Sequence, residues 1–250
     1  LLERGITKNV FVEKPLAASA REAAELCRMA RRTGGLNMVG FQKRFAVTFR
    51  KAKEILSQGR LGDIVLFDAD AYSSDFSQGR KGRRAPARGG VLRDLGCHVI
   101  DLVLWFFGSV DVASATCTNL GSRAPGESMS VRLTTPRGIV GTLSASATMP
   151  DYRLPEFGLT VTGRRGRMRV NDDRVEVTLD SANPVVWHRQ ALDDRTPFLL
   201  ADPEYAREDE AFVQGITTGS RVSPSFEDGL RVEALIDRIH ASVFPHADRR

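Results

Sequence analysis

Three ionisable residues share one face of a strongly apolar segment in the middle of the chain. Residues 88–108 read RGGVLRDLGCHVIDLVLWFFG, and this apolar run predicts a buried helix. Asp94, His98 and Asp101 stand at i, i+4 and i+7, so a helix places them in one stripe. Ionisable groups on a buried helix cost free energy unless they are paired or face a wet cavity. The stripe therefore predicts the wall of a polar pocket, in which the histidine can exchange a proton near neutral pH.

Each member of this stripe also has a purely structural interpretation. Asp94 can be a helix N-cap, His98 a core histidine with satisfied hydrogen bonds, and Asp101 the partner of a buried cation. Taken one at a time, the residues favour these structural roles. Three of them in a single stripe favour the pocket.

A second candidate for chemistry is the tripeptide Glu13-Lys14-Pro15 near the start of the chain. It follows a short apolar strand predicted over 9–12. Open α/β sheets bind their ligands at the carboxyl ends of strands. A lysine at that place can hold an anion or polarise a hydroxyl or carbonyl oxygen. The proline can lock the turn, and a cis bond is one way of doing so.

The elements around this tripeptide predict a parallel sheet. Apolar strands over 9–12 and 36–41 flank a helical pattern over 16–33. Ser19 followed by Glu22 indicates a capping box at the helix start. Because both strands are apolar throughout, we expect a sheet that is covered on both faces.

The rest of the chain predicts a larger domain of mixed composition. A helix to about residue 58 and a strand over 64–72 are followed by an irregular basic loop over 73–90 and the stripe helix. Strands then dominate, over 110–119, 128–135, 138–149, 157–163 and 167–179. A loop-rich segment over 180–203 leads to two final helices, over 204–218 and 226–243. We expect an α/β protein with an incomplete parallel unit at 1–41, and a domain at 42–250 with an open, mainly antiparallel sheet and helices on one face.

Composition sets further limits on the protein. Hydrophobic residues make up 42% and charged residues 27% of the 250, as in globular proteins with a substantial core. No apolar run reaches the ~20 residues that span a bilayer, and the first residues lack a signal-peptide pattern. Cys27, Cys97 and Cys117 have no metal-type spacing, which indicates reduced cysteines and no metal site. We expect a cytoplasmic protein without a membrane anchor.

The basic charge balance raises the question of nucleic acid. The net charge is +5, and basic residues cluster at 80–84 with Arg88 and at 164–169. Neither cluster is interleaved with aromatic residues or lies in a known nucleic-acid module. We interpret both as solvated loops, with contact to an anion or polyphosphate as the alternative. We expect no nucleic-acid partner.

Four separated segments carry a family resemblance. In chain order they are VFVEKPLA, GFQKRF, GGVLRDLGCHVIDLVLWFFG and EAFVQGITTGSRVSPSFEDGLRV. Together they resemble the glucose-fructose oxidoreductase, inositol dehydrogenase and rhizopine catabolism (Gfo/Idh/MocA) family. This resemblance implies an oxidoreductase dependent on NAD or NADP, with an N-terminal Rossmann domain and a C-terminal domain whose open sheet mediates oligomerisation. Residues 1–41 would then be the end of the Rossmann domain.

The resemblance also assigns roles to residues of this chain. Lys14 matches the family's lysine that touches nicotinamide and substrate, and Asp94 and His98 match its G-G-x-x-x-D-x-G-x-H pattern. Oxidising a secondary alcohol requires a base for the hydroxyl proton, a role that His98 can fill, while Lys14 stabilises the developing alkoxide. The residues implied in contacts with a sugar, cyclitol or other polyol are Arg44, Asp101 (as a supporting partner) and Tyr152. Those implied in cofactor contacts are Glu13, Lys14, Pro15 and Gln42.

One departure from the family is large. The chain contains no G-x-G-x-x-G, so the elements that bind the pyrophosphate and ribose are expected upstream of Leu1. We expect an N-terminally truncated chain that lacks about a hundred residues and binds nicotinamide poorly. Two alternatives stay open: a non-catalytic binding or oligomerisation protein that retains the fold, and a redox-neutral glycoside hydrolase or lyase of the same fold.

Overall fold

Two sheets of unequal size organise the protein. The structure, a computed structural model, describes residues 1–74, 90–118, 128–152, 154–180, 182–192 and 203–244. The smaller sheet pairs β1 (Val10–Glu13) with β2 (Asn37–Gly40) in parallel. Helix α1 (Ala20–Thr33) connects the two strands. The parallel strand–helix–strand unit predicted from the apolar pattern is thus confirmed.

Helix α1 begins later than the pattern predicts, because its first turn is set by the cap at Ser19. The Glu22 backbone N–H donates to the Ser19 side chain at 3.3 Å. The Glu22 carboxylate accepts from the backbone N–H of Ala18 at 3.1 Å, one residue before the cap. Gly34 ends the helix in the left-handed region with φ 64°, which glycine adopts without a steric cost.

The larger sheet has eight strands in the order β10-β9-β8-β7-β3-β6-β5-β4. Only β3 and β6 pair in parallel, and every other neighbouring pair is antiparallel. The mainly antiparallel sheet expected for the second part of the chain is confirmed. Its strands are β3 (Ile64–Tyr72), β4 (Asp111–Thr118), β5 (Ser128–Thr134), β6 (Val140–Ser146), β7 (Glu156–Gly163), β8 (Gly166–Asn171), β9 (Arg174–Leu179) and β10 (Val185–His188).

One face of this sheet carries the main core. Helices α2 (Val47–Ser57), α3 (Cys97–Phe107) and α5 (Phe226–Val243) all contact it. Side chains alternate between the two faces of a strand, so every second residue points to the helices. The buried members of this pattern are Phe67, Ala69, Ala71, Met129, Val131, Leu133, Leu143, Ala145, Phe157, Leu159, Val161, Met168, Val170, Val175 and Val177.

The last two helices also contact the smaller sheet. Helix α4 (Pro203–Thr218) contacts β1, since the ring centroids of Phe212 and Phe11 lie 5.7 Å apart. Helix α5 packs against α1 and β2. The end of the chain therefore joins the two sheets.

The helix predicted to about residue 58 is confirmed as α2, which follows a 3₁₀ turn at Gln42–Phe45. Two other predicted elements are wrong in detail. The single strand predicted over 167–179 is two strands, because the Asn171 side chain accepts the backbone N–H groups of Asp173 and Arg174 and forms a turn. Strand β10 lies in a segment expected to be loop.

The basic cluster at 80–88 and most of the loop over 73–90 lie outside the described residues. Cys27 and Cys97 are buried and unbridged, and burial raises their thiol pKa values to about 11 and about 12. Within the described ranges, no helix has the length and apolar character needed to cross a membrane.

Candidate active site

The turn that carries Asp94 is wider than an ordinary helical turn. Leu92–Gly96 form a π-helical turn that runs directly into α3. The helical segment starts at residue 90, so Asp94 lies inside it and does not cap it. The side chain of Asp94 is 53% exposed, whereas His98 and Asp101 are 4% and 1% exposed. Solvent exposure thus decreases along the stripe, from an open end at Asp94 to a closed end at Asp101.

Lys14 reaches the open end of the stripe from 80 residues away. It follows β1 and precedes a cis peptide bond to Pro15. Its ammonium donates a short hydrogen bond to the backbone carbonyl of Asp94, and Nζ lies 3.7 Å from the Asp94 carboxylate oxygen Oδ1. The lysine side chain is 22% exposed. The structure therefore unites the two candidates for chemistry that lie farthest apart in the sequence.

Glu13 lies at the last position of β1, opposite Gly40 of β2. A Cβ atom at position 40 would stand 2.6 Å from the Glu13 oxygen Oε2. Any other residue at position 40 would displace this carboxylate, so the glycine allows Glu13 to lie close to the end of β2 beside Lys14.

His98 is buried against an aromatic ring. Its ring meets the Phe157 ring edge-on, with centroids 4.9 Å apart, and its Nδ1 has no hydrogen-bond partner among the described residues. Burial lowers the pKa of His98 well below 6.5, and the charges of Lys14 and Lys43 lower it further. This pKa differs from the ordinary value that the sequence suggests. The imidazole is neutral at neutral pH and has one nitrogen free to accept a proton.

Lys43 is a neighbour of the site that the sequence did not single out. Its Nζ lies 2.8 Å from Oδ1 of Asp172 and 5.0 Å from the centroid of the Phe157 ring that also packs on His98. Asp172 belongs to the turn between β8 and β9. The sequence signal for Lys43 is its place beside Arg44 in GFQKRF.

Arg44 and Asp101, both expected near the substrate, are bound to each other. Arg44 donates from Nε and Nη2 to the two Asp101 oxygens at 2.8 and 2.6 Å. It also donates to Ser223 at 3.2 Å and to Asp228 at 3.3 Å. Burial raises the pKa of Asp101 to about 6, although the Arg44 charge acts in the opposite direction. This geometry matches the structural interpretation of Asp101, as the partner of a buried cation.

Gln42 and Tyr152 contact residues other than Lys14, Asp94 and His98. Gln42 donates from Nε2 to the Tyr205 hydroxyl of α4 at 3.2 Å. The Tyr152 ring contacts Tyr72, with centroids 5.2 Å apart. The neighbour of Tyr72 in β3, Ala71, is paired with Phe157 on the helix-covered face, so Tyr72 points to the other face. Tyr152 therefore packs on the face opposite to His98.

Two domains of known proteins match separate stretches of this chain. Residues 1–41 match the NAD-binding Rossmann fold of the GFO/IDH/MocA oxidoreductase family, and residues 49–169 match the GFO/IDH/MocA C-terminal domain. A dTDP-3,4-didehydro-2,6-dideoxy-alpha-D-glucose 3-reductase of Streptomyces antibioticus is 30% identical over 94% of this chain and 70% of its own length. The chain belongs to the GFO/IDH/MocA family. It is an oxidoreductase of the type that depends on NAD or NADP.

Other family members show the same extent of similarity. Inositol 2-dehydrogenase of Rhizobium meliloti is 28% identical over 94% of this chain and 71% of its own length. Among solved structures, levoglucosan dehydrogenase in complex with NADH and L-sorbose superposes with a TM-score of 0.82 at 21% identity, over 95% of this chain and 71% of its own. A 3-ketoreductase from Actinomadura kijaniata in complex with NADP gives 0.72 at 22% identity, over 94% and 70%. These superpositions show that the GFO/IDH/MocA fold is shared.

The residues at the carboxyl end of β1 fit the nicotinamide end of the cofactor that this family uses. Lys14 is partly exposed there, beside the exposed Asp94 carboxylate and one turn from a neutral imidazole. No G-x-G-x-x-G motif for the pyrophosphate occurs in the 250 residues. The residues at this strand end therefore suit the nicotinamide ring and not the pyrophosphate. Among the described residues, no cluster of His, Cys, Asp and Glu could hold a metal ion.

Proposed function

We propose that this protein oxidises a secondary alcohol of a sugar, cyclitol or related polyol, or reduces the matching ketone, with NAD or NADP as the redox partner. One observation carries the proposal: the Lys14 ammonium is held at the backbone and carboxylate of Asp94, one turn before the neutral His98. The names of relatives support the substrate class, since they include an inositol 2-dehydrogenase, a D-xylose 1-dehydrogenase and sugar 3-reductases.

Each of these three side chains has a distinct task in the proposed reaction. His98 accepts the hydroxyl proton of the substrate, because its imidazole is unprotonated at neutral pH. Lys14 donates a hydrogen bond to the oxygen that becomes negative as the proton leaves. Asp94 has an exposed carboxylate that can accept hydrogen bonds from neighbouring hydroxyls. The bound nicotinamide supplies the acceptor for the hydride that leaves carbon.

The burial of His98 adds a requirement to this scheme. An imidazolium enclosed by Phe157 and two lysines is unfavourable, so the proton must leave or find a new anionic partner as the alcohol is oxidised. Asp94 carries a half-exposed carboxylate one turn before His98. We assign it the additional role of offsetting the positive charge on His98.

The remaining predicted contacts form a supporting group. Glu13, Lys14, Pro15 and Gln42 are assigned to the nicotinamide side. Arg44 and Asp101 are assigned to the region behind the substrate, where their mutual bonds make them supports of the pocket. Tyr152 stays a proposed substrate contact for which the ring contact with Tyr72 offers no support.

We further propose that residues 1–41 and 42–250 are separate functional parts, that the protein acts in the cytoplasm and that it forms a homo-oligomer, either a dimer or a tetramer. The oligomer would use the face of the larger sheet that the helices leave uncovered. Alternating side chains such as Asp68, Arg167 and Arg169 lie on that face.

The experiment uses the full reading frame that encodes this chain. Purified protein is mixed with NAD⁺ or NADP⁺ and a panel that includes inositols, xylose and levoglucosan, and cofactor reduction is followed by absorbance. His98→Ala is expected to lower kcat about 10²–10⁴-fold, whereas His188→Ala, at an exposed position of β10, is the matched control. An unchanged kcat in His98→Ala across pH would remove the base assignment. Absence of cofactor reduction with every polyol would favour a non-catalytic or redox-neutral role.

A further inference from the structure

Helix α5 presents two carboxylates to the turn that carries Asp94. Arg93 donates from Nε to Oε2 of Glu233 at 2.8 Å and from Nη2 to Oδ1 of Asp237 at 2.6 Å. Arg93 is 7% exposed and Glu233 is 1% exposed, so their contact is shielded from water, whereas the Asp237 side chain is 39% exposed. Because Arg93 immediately precedes Asp94, α5 holds the wide turn from its inner side.

The same two carboxylates also hold the segment that carries Lys14. The Ala20 backbone N–H donates to Oδ2 of Asp237 at 2.8 Å. The backbone of Ala17 is hydrogen-bonded to Glu233. Ala17 lies three residues after Lys14, with only Pro15 and Leu16 between them. The segments that carry Lys14 and Asp94, 80 residues apart in sequence, thus both hydrogen-bond to Glu233 and Asp237.

We propose that Arg93, Glu233 and Asp237 are positioning residues that fix Lys14 against Asp94 in the active site. The proposal rests on the proposed function, since it concerns the geometry of that same site. An arginine can join two carboxylates with its planar fork, whereas the single ammonium of a lysine cannot reproduce this geometry. Displacing a reacting group by 1 Å can lower a rate about 10²-fold. A clamp that sets the Lys14–Asp94 contact therefore affects rate more than substrate affinity.

The test compares Arg93→Lys and Glu233→Gln with the wild type in the full reading frame. We expect kcat to fall about 10-fold or more, with a smaller change in KM, because the variants misplace Lys14 and Asp94. We also expect the pKa of His98 to rise as the Lys14 charge moves away, and NMR titration of labelled histidines measures this directly.

Glu227→Gln is the matched control. It makes the same substitution on the same helix and removes the negative charge from a contact with α1, since Arg31 donates to Glu227 at 3.0 and 2.7 Å. That pair is exposed and lies at the opposite end of α1 from Lys14. The control is expected to leave both kcat and the His98 titration unchanged.

Two outcomes are decisive against the clamp. If the folded variants keep the wild-type kcat and His98 titration, the cluster is only structural, even when thermal stability falls. If Arg93→Lys does not fold, Asp237→Asn replaces it, because asparagine still accepts the Ala20 N–H while the charge opposite Arg93 is lost. A wild type without NAD(P)-dependent activity would overturn the proposed function, and the clamp would then be judged by the His98 titration alone.

Discussion

Two charged contacts reach the stripe helix from residues that precede it in the chain, and they differ in distance, exposure and hydrogen bonding. Lys14 meets Asp94 across 3.7 Å, with side chains 22% and 53% exposed. Arg44 meets Asp101 through two bonds of 2.8 and 2.6 Å, with side chains 7% and 1% exposed. The first pair retains donors and acceptors that can bind another molecule. In the second pair, the donors of Arg44 and the acceptors of Asp101 are already used in hydrogen bonds within the protein.

The difference shows how one helix face can serve both chemistry and folding. Seven residues separate Asp94 from Asp101, about two turns of helix. Over that distance the surroundings change from solvent to the core beside α5. Residue type alone does not separate the roles, since both contacts join a basic residue to an aspartate.

The largest expected effect comes from breaking the buried pair. Asp101→Ala leaves Arg44 buried with fewer partners and should lower the free energy of unfolding by about 3–5 kcal/mol. Urea denaturation at neutral pH measures this change. Asp94→Ala is the paired control and should cost no more than about 1 kcal/mol, because its contact is exposed. Equal losses in the two variants would contradict the distinction between the pairs.

Breaking the open pair should affect activity instead. Lys14→Met is expected to lower kcat about 10²–10³-fold, since it removes the donor to the reacting oxygen. Its unfolding free energy should change by less than about 1 kcal/mol. Steady-state kinetics and urea denaturation on the same preparation give both values. Lys51→Met is the control, because Lys51 pairs at 3.0 Å with the exposed Glu54 inside α2; a similar loss there would count against the role of Lys14.

Glu208 differs from both aspartates, because its buried carboxyl has no hydrogen-bond partner among the described residues. Burial raises its pKa from 4.5 to about 8, and the charges of Glu13, Asp209 and Asp101 add to this. The folded protein keeps this proton up to about pH 8, whereas the unfolded chain releases it near 4.5, so raising the pH through this window should destabilise the fold.

Glu208→Gln removes that dependence. The difference in unfolding free energy between the variant and the wild type should therefore grow, in favour of the variant, by about 1–3 kcal/mol as the pH rises from 5 to 9. Denaturation at several pH values measures the gain, and a constant difference between the two proteins across this range would refute the assignment.

The smallest expected effect concerns His98, which is buried like Asp101 but adjoins Lys14 like Asp94. Its pKa is depressed in the folded protein, chiefly by burial, so the unfolded chain binds a proton first as pH falls. Stability should therefore decrease below pH 6.5, by at most about 1.4 kcal/mol per pH unit. His98→Gln should flatten this decrease in urea titrations. A wild-type loss that persists in the variant must come from other groups.

The sequence predicts the local parts of this picture better than the long-range ones. Strand and helix periods, the turn at Gly34 and the stripe on α3 are local patterns, and the structure contains them. The division between Lys14–Asp94 and Arg44–Asp101 depends on which elements pack on α3, which no local pattern records. Glu208 lies in an ordinary-looking charged helix, and it is buried by tertiary packing, since α4 contacts the Gln42–Phe45 turn and β1.

Some failures have a more specific cause. The turn at Asn171 interrupts a long run of strand-forming residues, and one side-chain amide that accepts two backbone N–H groups was enough to reverse the chain. This hairpin brings Asp172 to Lys43, a contact that a single uninterrupted strand does not predict. An extra residue in a helical turn has no sequence signature, so the sequence does not predict the π-helical turn.

The wide turn at Leu92–Gly96 has a consequence for sequence change in this protein. A π-helical turn accommodates one more residue than an α-helical turn. Deleting one residue there would restore an ordinary turn and leave the helix on either side in nearly the same orientation, because the wide turn accommodates the extra residue locally. The backbone of Arg93 and Asp94 would move as the turn closes, and with it the carbonyl that Lys14 binds and the contacts of Arg93 with its two carboxylates. A one-residue deletion in this turn should thus lower activity while the rest of the fold is retained.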